Sequence, residues 1–245
     1  AVHSLKDVPT RLADGLAIGA VLEREDPRDV YIPAADAAQS LEALPAGATV
    51  GTSSLRRRAQ LLHLRPDLIV RDLRGNLDTR MKRLAEGGYD AIIIARAGVR
   101  RLGFEDAVSQ VLEPPAWLPA VGQGALGIAI REDDDATREL VAPLQHAETA
   151  AATAAERAFL RALEGGCQIP IGALASIDAG RIVLHGFVAG VDGSPFLRGE
   201  LEGSAEDAES VGTALARRLL DQGAGGILDA IRGLETSKLP HASAP

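Results

Sequence analysis

Between positions 48 and 95 short apolar runs alternate with stretches in which apolar residues recur every three or four positions. The pattern predicts a strand over 48–52, a helix over 53–64, a strand over 67–73, a helix over 76–86 and a strand over 90–95, and strands alternating with helices of this length imply a parallel α/β sheet. Ahead of this unit residues 16–22 (LAIGAVL) predict a buried strand, and residues 31–47, rich in Ala, Pro and Asp, predict a loop with a short helix at 40–44. After Gly103, the residues Pro114, Pro115, Trp117 and Pro119 predict an extended linker leading to a strand over 126–131. The charged turn at 23–29 and the glycine-flanked stretch at 121–125 each predict a crossing between domains, which makes the domain that holds strands 16–22 and 126–131 discontinuous.

The last third has a different pattern. Residues 147–164 predict one helix, because Ala, Leu and Glu favour helix and Ala155, Phe159 and Leu163 fall at i, i+4 and i+8. Gly165 and Gly166 end it. Strands over 172–177, 181–189 and 196–202, with turns at Gly180 and Asp192-Gly193, and a helix over 205–222 then predict an α+β module. The tail 236–245 is polar and is expected to be disordered.

Composition narrows the class. A chain of 245 residues with 46% hydrophobic residues suits one or two domains with a real core. No apolar run approaches the roughly 20 residues that span a bilayer, and a single cysteine with no export signal makes a cytoplasmic location the expectation. The net charge of −8 is unevenly spread: residues 56–101 hold eleven arginines and Lys82 against five acids, a local +7 that leaves −15 on the rest. Arginine grips carboxylate or phosphate through two parallel hydrogen bonds. Nucleic acid is one partner for such a segment, but the acidic remainder and the lack of interleaved aromatics speak against it.

Candidate chemistry falls at predicted strand ends. In Gly51-Thr52-Ser53-Ser54-Leu55-Arg56-Arg57-Arg58 small hydroxyl residues precede arginines in the first helical turn, so backbone N–H groups, the helix dipole and guanidinium groups converge on one anion. Equally, Ser53 or Ser54 is an ordinary N-cap and the arginines are surface residues. The arrangement recurs at Arg74-Gly75-Asn76-Leu77-Asp78-Thr79-Arg80, with Asn76 as cap, and a pair of such ends favours a ligand with several negative groups. Arg101 is a further contact, and Arg100 is assigned to an exposed helix face. Asp7, between Lys6 and Val8-Pro9, is either a turn former or, facing the arginines, a general acid and base or a counter-ion for a developing cation. His3 has no triad-like company, no His, Cys and acid spacing predicts a metal, and no Walker-type or dinucleotide glycine loop occurs. Cys167, in LEGGCQIPIG, is the only cysteine. A lone thiol is either a small buried hydrophobe or a nucleophile that carries something covalently.

In this order and spacing, HSLKDVP, GTSSLRR, LRGNLDTR, LPAVGQGALGI and LEGGCQIPIG resemble the porphobilinogen deaminase (hydroxymethylbilane synthase) family across nearly the whole chain. The resemblance implies a transferase of tetrapyrrole (haem) biosynthesis that joins four porphobilinogen molecules, with loss of ammonia, into linear hydroxymethylbilane. It implies two periplasmic-binding-protein-like α/β domains and a C-terminal α+β domain: residues 1–27 and 119–144 as a truncated, discontinuous first domain, 28–118 as the second and 145–245 as the third. By resemblance Cys167 carries the dipyrromethane cofactor through a thioether, and Lys6, Thr52, Ser54, Arg56, Arg57 and Arg74 bind it. Arg80, Arg101 and Gln123 then bind substrate, Asp7 is the catalytic aspartate, and the protein is a monomer whose partners are porphobilinogen and the growing oligopyrrole, with no nucleic acid or membrane. Family members carry further elements before the HSLKD motif, so the chain is expected to be a fragment. The competing reading is a non-catalytic, two-lobed anion-binding protein, which has no need of a covalent primer.

Overall fold

The structure, a computed structural model, describes residues 1–163 and 169–237; residues 164–168, which include Cys167, and 238–245 lie outside them. Strands β1 (Val2–Ser4) and β2 (Leu16–Val21) flank a strand from far along the chain, β8, to form a three-stranded antiparallel sheet, with β8 at Leu126–Arg131 in the middle. Leu5, Val21 and Ala125 form the small core beneath it.

Between the two crossings lies a five-stranded sheet. Its elements in chain order are β3 (Asp29–Pro33), β4 (Thr49–Gly51), α1 (Leu55–Leu64), β5 (Ile69–Arg71), α2 (Leu77–Ala85), β6 (Ala91–Ala95), α3 (Arg96–Arg101) and β7 (Gln110–Leu112). The strand order is β5-β4-β6-β3-β7, and β4 runs parallel to β5 and β6. Strand β3 is antiparallel to both β6 and β7, so the sheet is mixed and not parallel throughout. Residues 29–33 are thus an interior strand that joins the end of the expected turn at 23–29 to the start of the expected loop at 31–47, and 40–44 is a turn and not a helix. The physical reason is burial on both faces. Tyr31 packs with Val50, Leu61 and Ile93 on one side, while Val30 and Ile32 pack with Leu73, Ile92 and Ile94 on the other. A strand buried on both faces reads as a short unbroken apolar run, which Asp29 and Pro33 disguise. The expected linker after Gly103 likewise contains β7, and Trp117 is buried in this core.

Past β8 come α4 (Asp135–Val141) and α5 (Ala147–Ala162), whose first turn is capped by the His146 ring accepting from the Thr149 N–H. Strands β9 (Ile171–Asp178), β10 (Arg181–Ala189) and β11 (Phe196–Ser204) form an antiparallel meander. The β9–β10 hairpin turns on Ala179 and Gly180, both at positive φ, as a two-residue type I′ loop requires. Helix α5 and α6 (Ala208–Leu219) cover one face, and Phe159, Ile182, Leu184 and Leu215 fill the core between. The predicted helix over 205–222 is observed as a 3-10 turn at Ala205–Asp207, α6 and a further helical turn that kinks at Gly223, just past its expected end; an unpredicted helix, α7 (Gly225–Ser237), follows, so the expected disordered tail is helical up to Ser237.

Candidate active site

Lys6 and Asp7 sit on a single 3-10 turn, Leu5–Asp7, that leaves β1. The turn is pinned by burial of Leu5 and by the bond from its N–H to the carbonyl of Ala125, 2.9 Å. From α5, Arg157 donates to the carbonyls of Val8 at 3.0 Å and Pro9 at 2.6 Å, clamping the residues that follow Asp7. Asp7 is left exposed at the wall of a cavity of about 330 Å³.

The opposite wall is the N-terminus of α1. Ser54 is its cap, accepting from the Arg57 N–H, and the buried Thr52 hydroxyl accepts from the Ser54 N–H behind it. Ser53, Ser54, Arg56 and Arg57 all line the cavity, and Arg80 reaches it from α2, its Nε fixed on the carbonyl of Gly75 at 2.9 Å. Asn76 caps α2 as expected, accepting from the Thr79 N–H at 2.9 Å.

Arg56 and Arg57 are not the solvated helix-face residues that their position in sequence suggests. Both are buried and both bind Asp29, itself fully buried, at 2.7 and 2.8 Å. Asp29 was not among the expected site residues. Its one signal in sequence is an acid placed directly before the apolar Val30-Tyr31-Ile32 and close to an arginine-rich segment. Trp117 Nε1 and Gln123 Nε2 also donate to Asp29, and Gln123 is held in place between Gly122 and Gly124, both at positive φ. Burial would raise the Asp29 carboxyl, but the charges and hydrogen bonds of Arg56 and Arg57 hold it far below the usual carboxylate range.

Lys6 and Gln123 line both this cavity and a neighbouring one of about 530 Å³, to which Arg100 and Arg101 contribute. Arg100, expected on an exposed face, is a half-exposed side chain paired with Glu25 at 2.6 Å. Burial pushes the Lys6 ammonium below its ordinary range, the Arg57 charge acts in the same direction, and Asp7 and Asp29 oppose them. Burial, then Arg57, lowers Arg80. These shifts describe cations crowded into a poorly hydrated space, the condition under which an anion with several carboxylates is attracted strongly.

The structure therefore gathers Lys6, Asp7, Ser54, Arg56, Arg57 and Arg80 at one cavity, with Gln123 on its wall and Arg101 in the adjoining one. Thr52 lies behind the wall, and Arg74 lines neither cavity: its side chain is 82% exposed, 3.7 Å from Asp72. Cys167 lies outside the described residues, but the chain re-emerges from 164–168 at Ile169, which lines the 330 Å³ cavity together with Ile171. The donors suit a polycarboxylate cofactor. The Nε atoms of Arg56 and Arg57 are buried without a partner, as is Oε1 of Gln123, so this wall keeps hydrogen-bonding capacity beyond what the described residues use. Among the described residues no three His, Cys, Asp or Glu side chains gather as a metal site, and no helix is long and apolar enough to cross a membrane.

The chain matches the family model described as "Porphobilinogen deaminase, dipyromethane cofactor binding domain" over residues 1–139 and that described as "Porphobilinogen deaminase, C-terminal domain" over residues 150–221. Among solved structures it is similar to a periplasmic binding protein of Salmonella typhimurium described for its high arginine specificity, at 16% identity and a TM-score of 0.35, over 51% of this chain and 56% of that one. The two family matches together span most of the sequence, including every residue gathered at the cavity, and the chain belongs to the porphobilinogen deaminase family.

Proposed function

We propose that this protein joins four porphobilinogen molecules head to tail, releasing ammonia at each step, into linear hydroxymethylbilane on a dipyrromethane primer held by a thioether at Cys167. The observation that carries the reading is the cavity itself: the exposed carboxylate of Asp7 opposes Ser54, Arg56, Arg57 and Arg80, and the wall continues into Ile169, two residues after Cys167 in the chain.

When bound, the primer supplies the nucleophilic pyrrole carbon to which the first substrate is joined. Each pyrrole of the substrate carries an acetate and a propionate, and arginines recognise such groups through paired hydrogen bonds. Arg56, Arg57 and Arg80, with the free N–H groups at the start of α1, hold these carboxylates and leave the ring in reach of Asp7. The Asp7 carboxylate accepts a hydrogen bond from the pyrrole N–H, and its charge stabilises the cation that remains when ammonia departs. Lys6 and Arg101, at the adjoining cavity, extend the carboxylate-binding surface toward the lengthening product. In this reading residues 1–27 and 119–144 form one lobe, 28–118 the second and 145–245 the third, and the protein acts as a cytoplasmic monomer.

The test is the intact mass of the purified protein. An adduct of two pyrrole units that disappears in Cys167→Ser is the expected result. An unmodified wild-type mass in protein with full deaminase activity overturns the covalent primer.

A further inference from the structure

Asp29 is the first residue of β3, at the end of the charged crossing at 23–29. Each of its carboxylate oxygens accepts two side-chain bonds. Oδ1 takes Arg57 Nη2 at 2.8 Å and Gln123 Nε2 at 2.9 Å, and Oδ2 takes Arg56 Nη1 at 2.7 Å and Trp117 Nε1 at 2.8 Å. The same three cavity residues have a second anchor on backbone carbonyls: Arg56 Nη1 on Leu118 at 2.7 Å, Arg57 Nη1 on Ile93 at 3.1 Å and Gln123 Nε2 on Pro27 at 2.6 Å. Both guanidinium groups and the Gln123 amide are therefore held at two points each.

A buried acid serving only to hold the fold would be matched to its partners. Here one carboxylate faces two arginines, with Lys6 close enough to feel all three charges, so positive charge remains at the wall of the cavity. The uncompensated hydrogen-bonding atoms also fall on Asp29's own partners: Nε of Arg56, Nε of Arg57 and Oε1 of Gln123. All three belong to residues that line the cavity, whereas Asp29 and Trp117 do not line it.

We infer that Asp29 is a positioning residue for carboxylate recognition, fixing Arg56, Arg57 and Gln123 in the orientation that receives ligand carboxylates. The inference rests on the proposed function for the identity of the natural ligand, but not for its test. Asp29 acts through the arginines and does not touch the ligand. Two explanations then differ in sign. If Asp29 were only part of the electrostatic field, its neutralisation would leave the cavity more positive and tighten anion binding. A positioning residue predicts the reverse, because Asn offers one acceptor oxygen where two served and turns an N–H₂ group toward an arginine.

The experiment is calorimetric titration of mellitate, the benzene hexacarboxylate, into the Cys167→Ser chain with and without Asp29→Asn. The probe has no pyrrole and forms no bond at position 167, so failure of the covalent-primer reading leaves the measurement interpretable. The expected result is an affinity weaker by about tenfold in the Asp29→Asn protein, which is a loss of one such oriented interaction. An unchanged or tighter affinity in a folded Asp29→Asn chain overturns the inference. Should that variant not fold, Trp117→Phe removes one of the four bonds that orient Asp29 without altering the lining of the cavity. A loss of affinity of about threefold or more supports the inference, and an unchanged affinity overturns it.

Discussion

Arg24 and Glu156 lie 132 residues apart and meet in a two-pronged ion pair, with Nη1 to Oε1 at 2.6 Å and Nη2 to Oε2 at 3.1 Å. Glu156 is fully buried on α5 and also accepts from the N–H groups of Gly122 at 2.8 Å and Ala175 at 3.0 Å. One carboxylate thus ties the outgoing crossing, the returning crossing and strand β9 together. Arg24→Ala leaves that charge buried with two neutral donors, and the expected loss is about 3–5 kcal/mol of stability. Replacing the pair by Arg24→Met with Glu156→Leu is expected to restore little, because the two backbone N–H groups then have no acceptor. Urea unfolding of the three proteins checks this; a double variant as stable as wild type would contradict it.

Acid is expected to act on the fold through Asp29. Its carboxyl is held below its ordinary value, so at pH values between the folded and unfolded values the unfolded chain binds a proton that the folded chain does not. The stability it confers is complete above the unfolded value of about 4 and falls as the pH is lowered below it, by up to about 1.4 kcal/mol per pH unit for one group. Asp26, also lowered, adds in the same direction, but it is only partly buried and screened by solvent. Unfolding free energies measured between pH ~2 and ~5 give the proton uptake on unfolding, which Asp29→Asn is expected to reduce by about one. An unaltered slope would show that Asp29 is not held ionised.

The parts of this architecture that were legible in sequence are local. Asn76 and Ser54 announce helix starts because capping is a contact between residues three apart, and Gly180 announces a hairpin because the turn needs positive φ at that place. Strand β3 was hidden because its pattern is three apolar residues between an acid and a proline, and only the packing of two helical layers distinguishes it from loop. Asp29 and the part played by Trp117 were hidden for another reason. The bonds that Trp117 and Gln123 donate to Asp29 span 88 and 94 residues, and a charged residue in a charged turn looks solvated until the fold buries it. Sequence separation likewise concealed Arg157, whose bonds to the Val8 and Pro9 carbonyls span 149 and 148 residues.

Arg157 supplies the sharpest separation of roles around Asp7. Its two bonds, to the Val8 and Pro9 carbonyls, are the ones that hold the segment after Asp7 against α5, and the guanidinium is buried enough to lie below its ordinary range. Asp7→Ala removes the carboxylate proposed to face the reacting ring while leaving an exposed position in a short turn, so the fold is expected to persist and turnover to fall about 10²–10³-fold or more. Arg157→Met keeps the stem's bulk and loses both bonds, at about 1.5–3 kcal/mol for hydrogen bonds from a charged donor. The carboxylate remains but is less firmly held, and displacement by about 1 Å is enough to lower turnover toward 10²-fold. Steady-state kinetics with porphobilinogen distinguishes the cases: Arg157→Met is expected to lower kcat with KM little changed, because the α1 and α2 arginines that line the cavity, proposed to bind the carboxylates, are untouched. A variant that raised KM alone would place Arg157 with the binding wall, and wild-type kinetics would remove it from the positioning of Asp7.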